Sequence, residues 1–175
     1  MPNFVCAAFI VTGDPLELQR FKDRMVKPEH EVGMTAYFDI PSPPRKQYVD
    51  PATPEGAKLT LDFNGIIQMP PEEECPNWED WAVEHWGTKW NAQSVDMRDE
   101  GPGKFWFQFM TAWDFPTPVF AALAREFPAL VFDGSAYEES GEFELAGQIN
   151  GDNSWGPAVI DWGEEPDEDD EDAPF

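Results

Sequence analysis

Phe4-Val5-Cys6-Ala7-Ala8-Phe9-Ile10-Val11-Thr12-Gly13-Asp14-Pro15-Leu16-Glu17 holds the first strand of the chain and the start of its first helix. Phe4 to Val11 is a short apolar run rich in β-formers, which predicts a strand buried on both faces. Thr12-Gly13 ends it. Asp14 supplies a capping carboxylate, Pro15 suits the first helical position, and Glu17 follows the cap by three residues, so a helix begins here. The helix is expected to run to about Lys27. Leu18, Phe21 and Met25 line one side, and Arg20, Arg24 and Lys27 recur at i, i+4 and i+7 on the other.

Outward from this unit, Pro28 closes the helix, and residues 28 to 58 are rich in Pro with little periodicity, which reads as a long irregular excursion. Leu59 to Met69 carries a short extended piece. Asn77 or a neighbour caps a helix from Trp78 to about Trp86, which Gly87 stops. Ala92 to Arg98 and Lys104 to Ala112 form a hairpin across Glu100-Gly101-Pro102-Gly103. Thr117-Pro118 opens a helix over Val119 to Phe127, ended by Pro128. Ala129 to Phe132 and Glu142 to Ile149 give final strands around an acidic turn. The order strand, helix, hairpin, helix, strand is that of a βαββαβ unit. The expectation is therefore an α+β, ferredoxin-like antiparallel sheet with helices on one face. Residues 1–150 form this domain with an insert at 28–90, and 151–175 form a disordered acidic tail with Trp155 and Trp162 as docking points.

The chain has 175 residues, enough for one domain with a sizeable core, and eight Trp and fourteen Phe supply apolar area. Its formal net charge is −24. From Glu126 onward there are sixteen acids and no Lys or Arg, whereas most of the bases fall in one window: Arg20, Lys22, Arg24, Lys27, Arg45, Lys46 and Lys58. A phosphate backbone would be repelled by the whole chain and accepted only near that window. Cys6 and Cys75 have no metal spacing and form no disulfide framework, and Cys6 reads as a small buried side chain. No run approaches a membrane span and no signal core is present, which implies a cytoplasmic protein without membrane partners.

Little in the chain suits catalysis. His30 and His85 lack partners at metal-ligand spacing, and there is no phosphate loop, nucleophile elbow or cysteine with a nearby base. A non-enzymatic protein without cofactor is the expectation. Lys104-Phe105-Trp106-Phe107-Gln108-Phe109 is more suggestive, because basic and aromatic residues alternating on a central strand can stack unpaired bases. Either the Phe set or the Trp106 set must face away from the helices. The last residues, Asp169-Asp170-Glu171-Asp172-Ala173-Pro174-Phe175, set an apolar ring and a carboxylate on a charged tether, which suits a greasy pocket with a basic rim.

That terminus resembles the C-terminal tip of bacterial single-stranded DNA-binding proteins, with Ala173 where those tips usually carry Ile. Met1-Pro2-Asn3, Leu61-Asp62-Phe63-Asn64, Trp86-Gly87-Thr88-Lys89-Trp90-Asn91-Ala92 and Thr111-Ala112-Trp113 are similar to the YubB-like ferredoxin-domain family of phages and plasmids. The second resemblance implies a ferredoxin-like fold and a mobile-element setting, with no activity to carry over. The apolar Cys6, Ala8 and Ile10 depart from that family's polar alternate positions, and imply a face covered by the tail or by a partner subunit in a homo-oligomer.

Two functions follow as expectations. One is a single-stranded DNA or RNA binder using Arg20, Arg24, Lys27, Arg45, Lys46, Lys58, Lys104 and Trp106. In it, Asp169, Asp170, Asp172, Pro174 and Phe175 recruit a replication, repair or transcription protein with a basic pocket. The alternative is an acidic mimic of nucleic acid that inhibits a host defence or repair protein.

Overall fold

The computed structural model describes residues 3–32 and 58–159, with the side chain of His30 excepted. Arg45, Lys46, Trp162 and the terminal Asp169, Asp170, Asp172, Pro174 and Phe175 lie outside the described residues.

Strand β1 (Phe4–Gly13) leads into helix α1 (Pro15–Met25). The Asp14 carboxylate accepts from the backbone N–H groups of Leu16 at 3.0 Å and Glu17 at 3.1 Å, satisfying two of the donors that a helix start leaves open. Leu18, Phe21 and Met25 are buried. The helix ends at Met25, not at Lys27, because the residue before a proline disfavours helical geometry and Val26 turns extended instead. Strand β2 (Val26–Pro28) then precedes α2 (Glu29–Val32), and β2 pairs antiparallel with β3 (Leu59–Leu61), Val26 facing Leu61. Lys27 thus leaves the helical stripe expected for it.

After α3 (Trp78–Trp86), where Gly87 takes the left-handed conformation that ends the helix, come strands β4 (Gln93–Gly101) and β5 (Lys104–Ala112). Helix α4 (Thr117–Glu126), β6 (Leu130–Glu138), β7 (Glu144–Ile149) and β8 (Gly156–Pro157) complete the described chain. The main sheet is antiparallel in the order β4-β5-β1-β6-β7-β8. Its first four members are the ferredoxin-like sheet of an α+β domain, so β1 lies between the hairpin and the strand that follows α4. A split βαβ unit makes that placement natural, since the crossover through α1 leaves a gap that β5 fills.

Alternation along the strands divides the sheet into two faces. Val5, Ala7, Phe9 and Val11 of β1, Phe105, Phe107 and Phe109 of β5, and Phe132 and Ala136 of β6 are buried at the helical face. Their rings form a continuous stack, with Phe9 4.6 Å from Phe120 and 5.9 Å from Phe107, and Phe21 standing edge-on to Phe132 at 5.7 Å. The expectation that β1 is buried on both faces is corrected. Phe4, Cys6 and Ala8 are half-buried and Ile10 is 37 % exposed on the other side.

Two later boundaries also differ from the sequence reading. Strand β6 does not stop at Phe132 but continues to Glu138, and the turn spans the residues between Glu138 and Glu144. Asp133-Gly134 looks like turn chemistry, yet Gly134 lies against β1 where a Cβ would fall 2.2 Å from the Ala8 carbonyl oxygen and 2.5 Å from Cδ1 of Phe9. Its small size is needed for close packing between strands. Past Asn150 the chain also stays on the domain. The Asn150 amide donates to the carbonyls of Ala124 at 3.0 Å and Phe127 at 3.2 Å, Trp155 sits 4.9 Å from Phe115 and 5.2 Å from Phe9, and β8 pairs with β7.

Candidate binding surface

The face of the sheet turned away from the helices is built in rows by the strand register. Arg98, Trp106, Ile10, Asp133 and Gln148 share one row. The next holds Asp96, Gln108, Ala8, Ser135 and Ala146, and a third Met110, Cys6, Tyr137 and Glu144. Small side chains in the middle leave a shallow hollow of about 300 Å³ bounded by Cys6, Ala8, Ser94, Gln108, Met110 and Tyr137. Burial pushes the Cys6 thiol above its ordinary pKa, the nearby Glu139 carboxylate adds to this, and a hydrogen bond with Tyr137 opposes it. Burial likewise raises the Tyr137 phenol, and its bond to Cys6 adds to the rise. Cys6 is therefore a protonated thiol near neutral pH, unsuited to nucleophilic attack.

Of the described residues that the sequence assigns to nucleic-acid binding, this surface brings together Trp106 and Lys104, beside the apolar Cys6, Ala8 and Ile10. The guanidinium of Arg98 lies 4.3 Å above the Trp106 ring while hydrogen-bonding Glu100, so one side of that indole is already occupied by a cation. The helical cations stand elsewhere. Arg20 pairs with Glu17 at 3.2 Å and Glu126 at 3.5 Å, and lies over the ring of Phe127. Arg24 reaches Glu126 at 2.8 Å and donates to the carbonyl of Gly65. Lys27 donates to the carbonyl of Asp23, and Lys58 pairs with Glu29 at 3.3 Å. These contacts tie α1 to α4 and to the start of the insert.

Three residues to which the sequence assigned no binding role are set in charged and aromatic surroundings here. Lys22 is buried along its stem, pairs with Asp99 at 3.2 Å and lies 5.5 Å from the Phe105 ring. Lys89 sits between the indoles of Trp113 at 4.8 Å and Trp90 at 5.6 Å while pairing with Glu79 at 3.3 Å. Trp113 has φ of 73° and is 51 % exposed. A bulky residue in that region is a rare conformation, held here by the Trp113 N–H donating to the Asn3 carbonyl at 2.8 Å. The histidine that sequence weighed for chemistry, His85, stacks on Trp81 at 4.2 Å, with Nδ1 2.9 Å from the Trp81 carbonyl oxygen.

Among the described residues no group of three or more His, Cys, Asp or Glu could hold a metal ion, and no helix is long and apolar enough to cross a membrane. Among the described residues the arrangement offers stacking, ion pairing and shape.

Neither a curated protein nor a solved structure matches the chain. Residues 85–174 do match a family, the ferredoxin-like domain in Api92-like protein. The matched span takes in β4 to β8, while β1 at the centre of the sheet comes from outside it. A hairpin, a helix and a returning strand assembled around β1 are what that fold requires, and the chain belongs to the family of ferredoxin-like domains in Api92-like protein.

Proposed function

We propose that the protein is a non-enzymatic interaction module whose acidic surface occupies the basic nucleic-acid-binding site of another protein. The observation that carries this reading is the internal use of its cations. Arg20, Lys22, Arg24, Lys58, Lys89 and Arg98 each pair with a carboxylate of the same chain. Thirty-five acids stand against eleven bases, so what such pairing leaves on display is anionic. A surface of that kind attracts basic grooves and repels polyanions. The resemblance to YubB-like proteins of phages and plasmids supports the setting, since mobile elements gain from blocking host nucleases or repair proteins. The terminal Asp169, Asp170, Asp172, Pro174 and Phe175 extend the same chemistry to a partner pocket with a basic rim.

A second reading keeps one specific support. Trp106 and Lys104 lie on a central strand, on the face turned away from the helices, where single-stranded DNA or RNA could stack and pair. One experiment separates the two. Intact protein captures partners from a nuclease-treated bacterial lysate, and single-stranded DNA is added to the captured material. Mimicry requires that DNA release the partner and that the protein alone leave an oligonucleotide unshifted at low salt. A direct shift that is lost in Trp106→Ala would establish the second reading in its place.

A further inference from the structure

The loop between β5 and α4 holds an indole in solvent by contacts that a casually exposed side chain would not need. Trp113 is exposed at a φ of 73°, a conformation unfavourable to a bulky residue that persists only where its surroundings enforce it. Here they do. The buried Thr88 hydroxyl donates to the Ala112 carbonyl at 2.8 Å and accepts from the Ala112 N–H at 3.2 Å. The buried Thr111 hydroxyl donates to the Asp114 carbonyl at 2.8 Å, and the Asn3 carbonyl accepts from the Trp113 N–H at 2.8 Å. Asp114, itself exposed, is fixed by accepting from the Phe115 N–H at 2.7 Å. A strained backbone is thus kept rigid around a ring that stays half outside the core.

Charge is ordered around that ring. Lys89 lies 4.8 Å from its centre and pairs with Glu79 at 3.3 Å, so the cation nearest the indole is already met by a carboxylate of the same chain. Asp114 follows the indole directly in sequence. A flat aromatic ring with carboxylates fixed beside it has the layout of an unpaired nucleotide, a base next to its phosphates.

We infer that Trp113 takes the place of an unpaired base in the single-strand-binding groove of a partner protein. Its indole stacks on an aromatic side chain that otherwise stacks a base, and Asp114 meets basic residues that otherwise meet phosphate. The inference rests on the mimicry proposed above and supplies its anchor, the role that tryptophan fills most often at protein interfaces. Lys89 engages one face of the indole and leaves the other for the partner. A second cation there would be repelled by Lys89 across the ring, which selects an aromatic ring as the stacking group.

The test titrates the full chain with two dye-labelled octapeptides of equal charge, one alternating arginine with tyrosine and the other arginine with alanine. Fluorescence anisotropy reads binding in about 50 mM salt, where charge attraction is only partly screened. The tyrosine peptide is expected to bind about tenfold more tightly. Trp113→Gly, which suits the positive φ, should abolish that preference and leave the alanine peptide bound as before, whereas Trp113→Tyr should retain most of it. Circular dichroism, with the unchanged alanine-peptide affinity, keeps a folding defect apart from lost stacking. No preference in the natural chain, or a preference that survives Trp113→Gly, would overturn the inference and leave the acidic-surface reading standing. Failure of both peptides to bind would overturn that reading and the anchor with it. A single-stranded oligonucleotide shifted by the natural chain but not by Trp113→Gly would put a base on the ring instead, and would also overturn the inference.

Discussion

The two faces of the central sheet are made by alternate residues of the same strands, and they are held to opposite standards. Toward the helices β1 and β5 present Val5, Ala7, Phe9 and Val11 and Phe105, Phe107 and Phe109, all at or below 4 % exposure. On the other side the same strands present Cys6, Ala8 and Ile10 and Trp106, Gln108 and Met110, none of them fully buried. Burial, and with it most of the packing energy, is therefore concentrated on one face. A core built of stacked rings tolerates little change, because interiors are packed like crystals. The half-buried face leaves more room for change.

The contrast is broken most directly at Phe107, which touches Phe9, Phe21, Phe105 and Phe109. Phe107→Ala removes the centre of that stack and should cost about 3–5 kcal/mol in urea denaturation, through lost burial and the cavity left behind. Gly134 tests the close passage of β6 along β1. Gly134→Ala places a methyl against the Ala8 carbonyl and the Phe9 ring, and overpacking of this kind should cost about 1–3 kcal/mol by the same measurement. A loss near zero would show that β6 stands further from β1 than the register implies.

How much of this was legible follows from which forces are local. The Asp14-Pro15 helix start, the Glu100-Gly101-Pro102-Gly103 turn and the Gly87 stop act within a few residues, so their elements, and with them the ferredoxin-like order, could be read directly. Period-two alternation in β5 showed that Phe105, Phe107 and Phe109 oppose Trp106, but not which set meets the helices. That is decided by α1 and α4, far away in sequence. Ion pairing is equally non-local. Arg20 and Arg24 read from sequence as a cationic stripe, and the structure adds that both reach Glu126, over a hundred residues along. Strand β6 runs past Phe132 because Gly134 is small enough to pass close along β1, a packing reason that no neighbouring residue announces. Trp106 and Lys104 were placed on one strand correctly from the alternation alone. No local signal marked Trp113, whose conformation depends on Asn3.

A pH profile sharpens the comparison at the end of β6. Glu138 is 2 % exposed, and one of its oxygens accepts from the Ser140 hydroxyl at 2.6 Å and from the backbone N–H groups of Ser140 at 2.9 Å and Glu142 at 3.2 Å. The hydrogen bond from the Ser140 side chain, aided by those from the backbone, holds its pKa below the ordinary carboxylate value. A pKa lower in the folded state contributes stability above the unfolded value of about 4.3 and loses it as pH falls through the folded one. Unfolding midpoints measured from neutral pH downward should therefore fall less steeply in Glu138→Gln than in the natural chain. Equal slopes would remove the carboxylate from the turn's stability.

The smallest effect is expected on the open face, at Trp106. Its neighbour Phe107 is sealed in the core, whereas Trp106 is only half-buried and rests against Arg98. Trp106→Ala forfeits that cation–π contact and some partial burial, so the protein should lose only about 0.5–1 kcal/mol, several-fold less than Phe107→Ala. Urea denaturation of both variants checks the difference, and equal losses would place Trp106 among the residues that hold the fold together.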